Sequence, residues 1–254
     1  MRIVIKVGTS TLAHSTGRLN IRRTEELCKI ISDIKNAGHE IILVSSGAIG
    51  MGVGKLAIAK RPEDIATKQA AAAVGQCELM YTYDKLFSKY NHTVAQILLT
   101  GSDFSHEDRH ENFNNTLARL LELGVLPIIN ENDTIATEEI KVGDNDTLSA
   151  LVAVSAKADL LILLSDIDGL FTADPHTDPS ATLLSVVEEI NDEIMALGGG
   201  SGSSLGTGGM VTKLHAAEIT MGAGIDTIVM NGENPTDIYK ALDGKQVGTF
   251  FKGK

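Results

Sequence analysis

The stretch IVIKVGTS, residues 3–10, indicates both the fold class and a first candidate site. Its β-branched run ends at Gly8, which is the pattern of a buried strand that runs into a loop. A lysine inside such a strand is costly to bury unless its ammonium group meets an anion. Gly8 would let the backbone approach a ligand closely, and Thr9 and Ser10 add hydrogen-bond donors. The stretch therefore predicts either an anion site around Lys6 or a lysine at a strand edge that points to solvent.

Strands and helices alternate along the rest of the chain. Residues 22–37 carry apolar side chains at helical spacing, with Asn20 placed to cap the start and Gly38 the end. Further strands are predicted at 40–44, 93–99, 125–129, 159–164, 225–230 and 247–251, and further helices at 64–90, 109–123, 147–156 and 210–222. This alternation predicts an α/β fold with a mainly parallel sheet that helices cover on both faces. Ligands of such sheets bind beyond the carboxyl ends of the strands, so functional residues are expected in the loops there.

The composition is that of an ordinary globular protein. The 254 residues are 43% hydrophobic and 22% charged, which suits one large α/β domain or two closely packed lobes. A net charge of −11 argues against a nucleic-acid partner. No apolar run approaches the roughly 18 residues of a membrane span, and the N-terminus lacks signal-peptide features, so we expect a cytoplasmic protein. Cys28 and Cys77 fall in predicted helices and are expected to be small buried side chains in a reducing compartment.

Two glycine-containing stretches lead from loops into helices. SSGAIG at residues 45–50 would bind an anion with backbone N–H groups and the helix dipole, or it is a plain tight turn. The neighbouring Gly-Lys at 54–55 is not a Walker A loop, because the earlier glycine and the following Ser or Thr are absent. GTGGMVTK at residues 206–213 places Lys213 in the first turn of a helix, where a lysine opposes the helix dipole. A bound phosphate would remove that conflict; a surface lysine after a linker is the alternative.

The most polar loops follow the strands predicted at 125–129 and 159–164. NEND at residues 130–133 and KVGDND at residues 141–146 offer amides and carboxylates that would hold both charged groups of a small zwitterion. Two Asx turns are the alternative. SDIDGLFTADP at residues 165–175 places acidic side chains where they would meet a nucleotide ribose or Mg²⁺, which prefers one or two carboxylates together with phosphate oxygens. The alternative there is a turn-rich loop without a ligand.

A further motif, HEDRH at residues 106–110, matches the zinc-protease pattern H-E-x-x-H. Its flanks are polar and both of its middle positions are charged, so a solvated helix start is the better interpretation. No third ligand is evident in the sequence. We therefore do not expect a zinc site.

The loops taken together favour phosphoryl transfer. Lys6 and Lys213 would bracket the transferred group and stabilise its charge. Such a reaction needs positioning and charge neutralisation more than covalent help from the protein. A carboxylate acceptor is already ionised at neutral pH, so no general base is needed. Mg²⁺ would cover the remaining phosphate charge.

The motifs are also similar to those of a known family. They are KVGTS at 6–10, SSGAI at 45–49, INEND at 129–133, KVGDND at 141–146, GLFTADP at 169–175 and GTGGMVTK at 206–213. On these residues, the chain resembles the glutamate 5-kinase branch of the amino-acid kinase family over nearly its whole length. GLFTADP is shared widely within that family, whereas the two loops rich in Asn and Asp, together with the 206–213 loop, are specific to the branch. The resemblance implies a three-layer α/β/α sandwich, the amino-acid kinase (carbamate-kinase-like) fold.

The resemblance also implies roles for individual residues. The catalytic residues would be Lys6, Lys213 and Asp146, with Asp146 orienting the two lysines. The glutamate-binding residues would be Thr9, Ser46, Gly47, Asn130, Asp133, Asp144 and Asn145. The ATP-binding residues would be Lys6, Gly8, Ser165, Asp166, Phe171, Asp174, Thr207, Gly208, Gly209, Met210, Val211, Thr212 and Lys213. Ser165 stands where the family often has threonine, which is a mild change.

The implied reaction is ATP-dependent phosphorylation of the L-glutamate side-chain carboxylate to L-glutamyl 5-phosphate, the first step of proline biosynthesis. Mg²⁺ would bind through the ATP phosphates with no assigned protein ligand, proline would inhibit, and the chain would form a homo-oligomer, either dimer or tetramer. One kinase domain would fill residues 1–254, with a glutamate-binding lobe at about 1–158, an ATP-binding lobe at about 159–254 and no PUA domain. Two alternatives stay open: another amino-acid kinase, of acetylglutamate kinase or aspartokinase type, and a non-catalytic amino-acid or nucleotide sensor on the same fold.

Overall fold

The structure is a computed structural model that describes residues 1–14, 18–60, 62–136, 145–175, 177–199 and 209–254. Within these ranges the strands are β1 (Arg2–Val7), β2 (Glu40–Ser45), β3 (Val94–Leu99), β4 (Leu126–Glu131), β5 (Leu160–Ser165), β6 (Val186–Val187), β7 (Asp226–Asn231) and β8 (Thr249–Phe251). The helices are α1 (Thr9–Leu12), α2 (Ile21–Asn36), α3 (Ala48–Lys55), α4 (Ile65–Ser88), α5 (Gly101–Ser105), α6 (Glu107–Glu122), α7 (Asn145–Ala156), α8 (Asp192–Leu197), α9 (Met210–Gly222) and α10 (Asp237–Leu242). In this described part of the chain, no helix is long and apolar enough to cross a membrane.

The strands of the described residues form one sheet with the order β3-β4-β2-β1-β5-β7-β8-β6. All pairs from β3 through β7 are parallel, whereas β8 runs antiparallel to β7 and β6 runs parallel to β8. The prediction of a mainly parallel sheet is therefore confirmed. Because β1 lies between β2 and β5, Val7 at its end is paired with Ser45 on one side and with Leu164 on the other.

Helices cover both faces of the sheet, because the central strands carry apolar side chains on both faces. Val4 of β1 belongs to a core cluster with Leu148 of α7 and Leu214 of α9. Its neighbours Ile3 and Ile5 belong to a second cluster, which includes side chains of α2 and α4. This alternation is the two-residue period of a strand, and full burial of one such side chain stabilises the fold by roughly 1.5–3 kcal/mol. The three-layer α/β/α sandwich is thus confirmed.

Capping side chains explain where the longer helices begin and end. Asn20 accepts a hydrogen bond from the Arg23 N–H at 3.1 Å and so starts α2. Gly38 follows the end of α2 with a φ of 95°, a conformation that glycine adopts without strain. Asp64 caps α4 by accepting from the Thr67 N–H at 2.8 Å. α4 then runs unbroken to Ser88, and α9 begins and ends where the periodicity predicts.

The sequence pattern misses the shortest elements and one surface position. α1, α5, α8, α10 and β6 have two to six residues each, too few to display a period. Cys28 is buried, as expected, and burial raises the pKa of its thiol. The same expectation for Cys77 is wrong, because this residue is exposed on α4, one position after the buried Gln76.

Helices α3 and α4 meet at a contact between two glycines. A Cβ atom on Gly52 would lie 1.8 Å from the Ala71 carbonyl oxygen, and a Cβ atom on Gly75 would lie 1.8 Å from the Ala48 carbonyl oxygen. Both distances are far inside van der Waals contact, so neither position has room for a side chain. The two backbones therefore touch, and this contact positions the start of α3 against α4.

Candidate active site

The candidate site lies at the carboxyl ends of β1, β2, β4 and β5. The order of strands reverses here, because the chain places β2, β3 and β4 on one side of β1 and then crosses to the other side for β5. Loops that leave such a reversal point diverge and open a crevice for a ligand. The first turns of α7 and α9 reach the same edge of the sheet. Asp146 of α7 contacts Lys6 of β1, and Lys213 of α9 contacts Asp146.

Three charged side chains meet at this edge of the sheet. Lys6 Nζ lies 2.6 Å from Asp146 Oδ1, and Lys213 Nζ lies 3.1 Å from Asp146 Oδ2. The side chain of Asp146 is fully buried, and those of Lys6 and Lys213 are 10% and 6% exposed. The fold thus brings together the three residues that the family resemblance assigns to catalysis, which come from one strand and two different helices.

This cluster carries one positive charge in excess, since two ammonium groups face one carboxylate. Burial by itself would raise the pKa of Asp146, but the attraction of Lys6 and Lys213 outweighs burial and lowers that pKa from 3.8 to about 2. Asp146 is therefore ionised at neutral pH and is a poor base. Buried charge that lacks a counter-charge is costly. The excess positive charge consequently indicates an anionic ligand.

The first turn of α9 is attached to the same carboxylate. Thr212 Oγ1 lies 2.9 Å from Asp146 Oδ2 and 2.7 Å from the Gly209 carbonyl oxygen, so its single proton is shared between two acceptors. Gly209 and residues 210–211 complete this turn. Backbone N–H groups at the start of a helix are suited to phosphate, which is the role that the ATP-binding interpretation requires.

Gly8 and the loop after β5 lie beside Lys6. A Cβ atom on Gly8 would lie 3.3 Å from Lys6 Nζ, so a side chain there would crowd the ammonium group. Ser165 ends β5 and donates from its hydroxyl to Asp166 Oδ1 at 3.2 Å. Since Leu164 is paired with Val7, the residues that follow these two, Ser165 and Gly8, are neighbours at the ends of β5 and β1. Phe171 and Asp174 lie further along the loop that follows β5.

A chain of amide side chains lies on the β2 and β4 side of the crevice. Asn145 Nδ2 donates to the Ser45 carbonyl oxygen at 2.8 Å. The same nitrogen lies 2.7 Å from Ser46 Oγ and 2.9 Å from Asn130 Oδ1. Asn130 Nδ2 in turn donates to Gln76 Oε1 at 2.8 Å. The structure therefore joins three of the predicted glutamate-binding residues and adds Gln76, which the sequence analysis does not single out.

A narrow cavity lies where α1 and α3 begin. Thr9, Ser46 and Gly47 are among the residues that line it, so three of the predicted substrate contacts surround one space. Gly47 has a φ of 100°, which turns the chain from β2 into α3 and which other residues adopt only with strain. The cavity itself is no larger than a water molecule, so the three residues border the crevice rather than enclose a substrate there.

The loop at residues 130–133 lies partly in the amide chain and partly in a turn. Asn130 belongs to the amide chain, whereas the Asn132 side chain accepts a hydrogen bond from the Thr134 hydroxyl and the Asn132 carbonyl oxygen accepts one from the Ile135 N–H at 3.1 Å. Asp133 lies within that turn. The remaining predicted site residues, Asp144, Thr207 and Gly208, lie outside the described residues.

Two residues of α4 reach this region without any signal in the sequence. Gln76 contacts Asn130, as above, and the Tyr83 hydroxyl lies 2.8 Å from Ser45 Oγ. Burial raises the pKa of Tyr83, so its hydroxyl stays neutral. In a sequence, a glutamine or tyrosine on the buried side of a helix cannot be told from an ordinary core residue. Only the contacts with β2 and β4 in the folded chain show that Gln76 and Tyr83 reach the site.

The two histidines of the HEDRH motif have separate partners. His106 Nδ1 lies 2.7 Å from the Ser102 carbonyl oxygen, and His110 Nε2 lies 2.8 Å from Ser155 Oγ. Within the described ranges, no three or more His, Cys, Asp and Glu side chains are grouped so that they could hold a metal ion.

Curated proteins of similar sequence match this chain over nearly its whole length. The chain is 52% identical over 257 residues to the glutamate 5-kinase of Clostridium perfringens, which covers 100% of this chain and 96% of that protein. It is 53% identical over 250 residues to the glutamate 5-kinase of Clostridium acetobutylicum, which covers 98% of this chain and 94% of that one. The solved structure of carbamate kinase from Giardia lamblia bound to AMP-PNP covers 100% of this chain and 98% of its own, with a TM-score of 0.71 and 18% identity.

The likeness to the carbamate kinase structure, at 18% identity, shows the fold alone. The curated relatives carry the resemblance over the whole chain rather than over one motif. A family model described as the amino acid kinase family matches residues 1–231, which include every strand except β8. On this match and these identities, the chain belongs to the amino acid kinase family.

Proposed function

We propose that this chain transfers the γ-phosphoryl group of ATP to the side-chain carboxylate of L-glutamate, with L-glutamyl 5-phosphate as the product. The name shared by its relatives at 52–53% identity supports this acceptor. The single observation that carries the mechanism is the buried cluster of Lys6, Asp146 and Lys213 with its excess positive charge. Neither another amino-acid kinase nor a sensor is favoured by a specific observation.

The two lysines oppose the main obstacle to this reaction, which is repulsion between two anions. The acceptor carboxylate and the triphosphate are both negative, and negative charge spreads over the transferred group in the transition state. Lys6 approaches from β1 and Lys213 from α9, so the transferred group would pass between ammonium groups held on two different elements. Because these groups are already desolvated and positioned, they stabilise developing charge without reorganisation.

Asp146 serves as the spacer between these ammonium groups. Its two oxygens face one lysine each, so the carboxylate sets the distance between Lys6 and Lys213 and reduces their mutual repulsion. Since the two lysines lower its pKa to about 2, it does not accept a proton at neutral pH. The reaction needs no general base, because the glutamate carboxylate is itself the ionised nucleophile.

Mg²⁺ fits this site through ATP rather than through a set of protein ligands. Both oxygens of Asp146 already face lysines. The ion would therefore bind the ATP phosphates and neutralise part of their charge. Ser165, Asp166 and residues 209–213 would bind the nucleotide beside it.

Glutamate would lie on the other side of the cluster, along β2, β4 and α7. Asn145 and Asn130 offer amide groups there, and Ser46 and Gly47 line the adjacent cavity. Proline as a competing inhibitor, a homo-oligomeric assembly, a cytoplasmic location and a place at the start of proline synthesis belong to the same proposal. They follow from the resemblance and from the substrates rather than from a contact in the structure.

The test is glutamate-dependent ATP turnover in the presence of Mg²⁺, with the acyl phosphate trapped by hydroxylamine. We expect hydroxamate with L-glutamate and none above background with acetylglutamate or aspartate. Turnover with one of those acceptors instead would move the activity to another branch of the family. Absence of turnover with every acceptor, in a protein that binds ATP, would favour the sensor.

A further inference from the structure

Gln76 carries a hydrogen-bond donor that the described part of the chain leaves unsatisfied. The residue lies in α4 and is 7% exposed. Its Oε1 accepts from Asn130 Nδ2, but its Nε2 is buried and has no hydrogen-bond partner among the described residues. Buried donors are almost always paired, so one that is not is evidence for an absent partner.

The orientation of the Gln76 amide can be assigned from its hydrogen-bonded neighbours, because one of them, a backbone N–H group, can only donate. The backbone N–H of Glu131 can only donate, and it donates to Asn130 Oδ1 at 2.9 Å. Asn130 therefore presents Nδ2 to Gln76. An exchange of the two ends of the Gln76 amide would set two donors against each other at 2.8 Å, so a flip does not relieve the buried Nε2.

The Gly75 contact explains why this donor belongs to the site rather than to the core. Gly75 has no room for a side chain against Ala48, the first residue of α3, so α4 reaches its closest approach to the 45–48 segment there. Gln76 is the next residue. Its side chain contacts Asn130, one wall of the crevice proposed for the acceptor, and at Gly75 the same helix touches Ala48 at the other wall.

The position of Gln76 along the crevice selects one end of the substrate. The lysines that would stabilise the transferred group contact Asp146. Asn145 is the neighbour of Asp146 in the chain, Asn130 contacts Asn145, and Gln76 contacts Asn130 on its far side. Gln76 is therefore separated from the lysines by Asn130 and Asn145, and an acceptor whose side-chain carboxylate meets the lysines would extend its α-carboxylate toward Gln76.

We propose that Gln76 Nε2 donates a hydrogen bond to the α-carboxylate of the bound acceptor amino acid and so contributes to its selection. A carboxylate is an obligatory acceptor and matches a lone N–H donor, whereas an α-amide would present hydrogens as well. The relay through Asn130 holds the donor in place before the substrate arrives, which lowers the cost of binding. This inference rests on the proposed glutamate phosphorylation.

The test compares two variants with two acceptors. Gln76→Met removes both the donor and the acceptor of the side chain without adding charge, whereas Gln76→Glu keeps an oxygen to accept from Asn130, loses the donor and adds a negative charge. The acceptors are L-glutamate and its α-amide, isoglutamine, which has the same side-chain carboxylate. Assays at alkaline pH keep the introduced carboxyl group ionised, because burial raises the pKa of a carboxyl group.

Both variants should raise the KM for L-glutamate about 10- to 100-fold, with kcat and the KM for ATP changed far less. Their preference for L-glutamate over isoglutamine should fall by a similar factor. Thr82→Val is the matched control, since it also removes a side-chain hydrogen bond of α4, the one that the Thr82 hydroxyl donates to the Glu78 carbonyl oxygen at 2.9 Å, and its acceptor preference should stay that of the unmodified chain.

Restoration of normal glutamate KM by Gln76→Glu would overturn the proposal, because it would mean that Gln76 serves only to anchor Asn130. An equal loss of preference in Thr82→Val would also overturn it, since general loosening of α4 would then be enough to explain the effect. If the unmodified chain forms no hydroxamate with L-glutamate, the proposed function itself fails, which is a different result from an unchanged variant.

Discussion

Replacement of Asp146 by Asn removes one negative charge from between two buried ammonium groups while it keeps the size and shape of the side chain. The lysines lower the pKa of Asp146 from 3.8 to about 2. At about 1.4 kcal/mol for each pKa unit, the ionised carboxylate contributes roughly 2 kcal/mol to folding. The variant also leaves Lys6 and Lys213 without their counter-ion, and removal of one member of a buried pair typically costs about 3–5 kcal/mol. We therefore expect a loss of about 2–5 kcal/mol.

The assay is urea unfolding at neutral pH together with steady-state turnover. Asp243→Asn is the matched control, because the same change is made at an ion pair of 3.3 Å whose two side chains are more than 60% exposed. Such a pair contributes at most about 1 kcal/mol. We expect Asp146→Asn alone to shift the unfolding midpoint strongly, and to lower kcat by about 100-fold or more because the lysines lose their spacing. An Asp146→Asn variant with the midpoint and the kcat of the unmodified chain would refute the assignment.

The same carboxylate predicts a dependence on pH with a defined sign. Its pKa is lower in the folded chain than in the unfolded chain, so its contribution is fully present above about pH 3.8 and is lost as the pH falls toward 2. The stability difference between the unmodified chain and Asp146→Asn should therefore be constant above that range and shrink below it. Urea midpoints measured across acid pH test this point; a difference that shrinks between neutral and mildly acidic pH would contradict it.

Three further substitutions test separate parts of the structure. Lys213→Ala should lower kcat about 100- to 1000-fold with a much smaller effect on glutamate affinity measured by calorimetry, and unchanged turnover would remove this lysine from the mechanism. Gly75→Ala should lower stability by more than about 1 kcal/mol in thermal unfolding, because its Cβ would lie 1.8 Å from a backbone oxygen; Gly54→Ala, with nothing within 4 Å of its Cβ, should instead be neutral or stabilising. Asn145→Ala should raise the KM for glutamate about tenfold or more, since it ends the chain of amides; an unchanged KM would displace the proposed pocket.

The element types were accessible from the sequence because each depends on local pattern. A β-branched run before Gly8 predicts a strand, which is present, and leaves open whether Lys6 lies in an anion site or points to solvent; in the structure Lys6 is buried. Residues 210–222 show their helical period without interruption, and the helix has those bounds. The meeting of Lys6 with Lys213 could be expected only because parallel strands direct their following loops to one edge of the sheet.

What the sequence could not predict depends on contacts between distant elements. The sequence of a single strand does not indicate which strands it will pair with in the sheet. Gly75 reads as a weak point within a helix, yet it is the position where α4 touches α3. Gln76 and Cys77 are adjacent on the same helix and are buried and exposed, respectively, and no local rule separates them before the partners of α4 are known.

The strand order also has a consequence for how the chain matures. Strands β1, β2, β3 and β4 come from residues 2–131 and form one continuous half of the sheet. One edge of β1 stays unpaired until β5, from residues 160–165, arrives, and contacts so far apart in sequence are slow to close. During synthesis, the ribosome must therefore release more than half of the chain before Lys6 acquires its counter-ion from α7, and α9 emerges later still. The charged cluster is therefore among the last parts of the molecule to assemble, because its three side chains come from residues 6, 146 and 213.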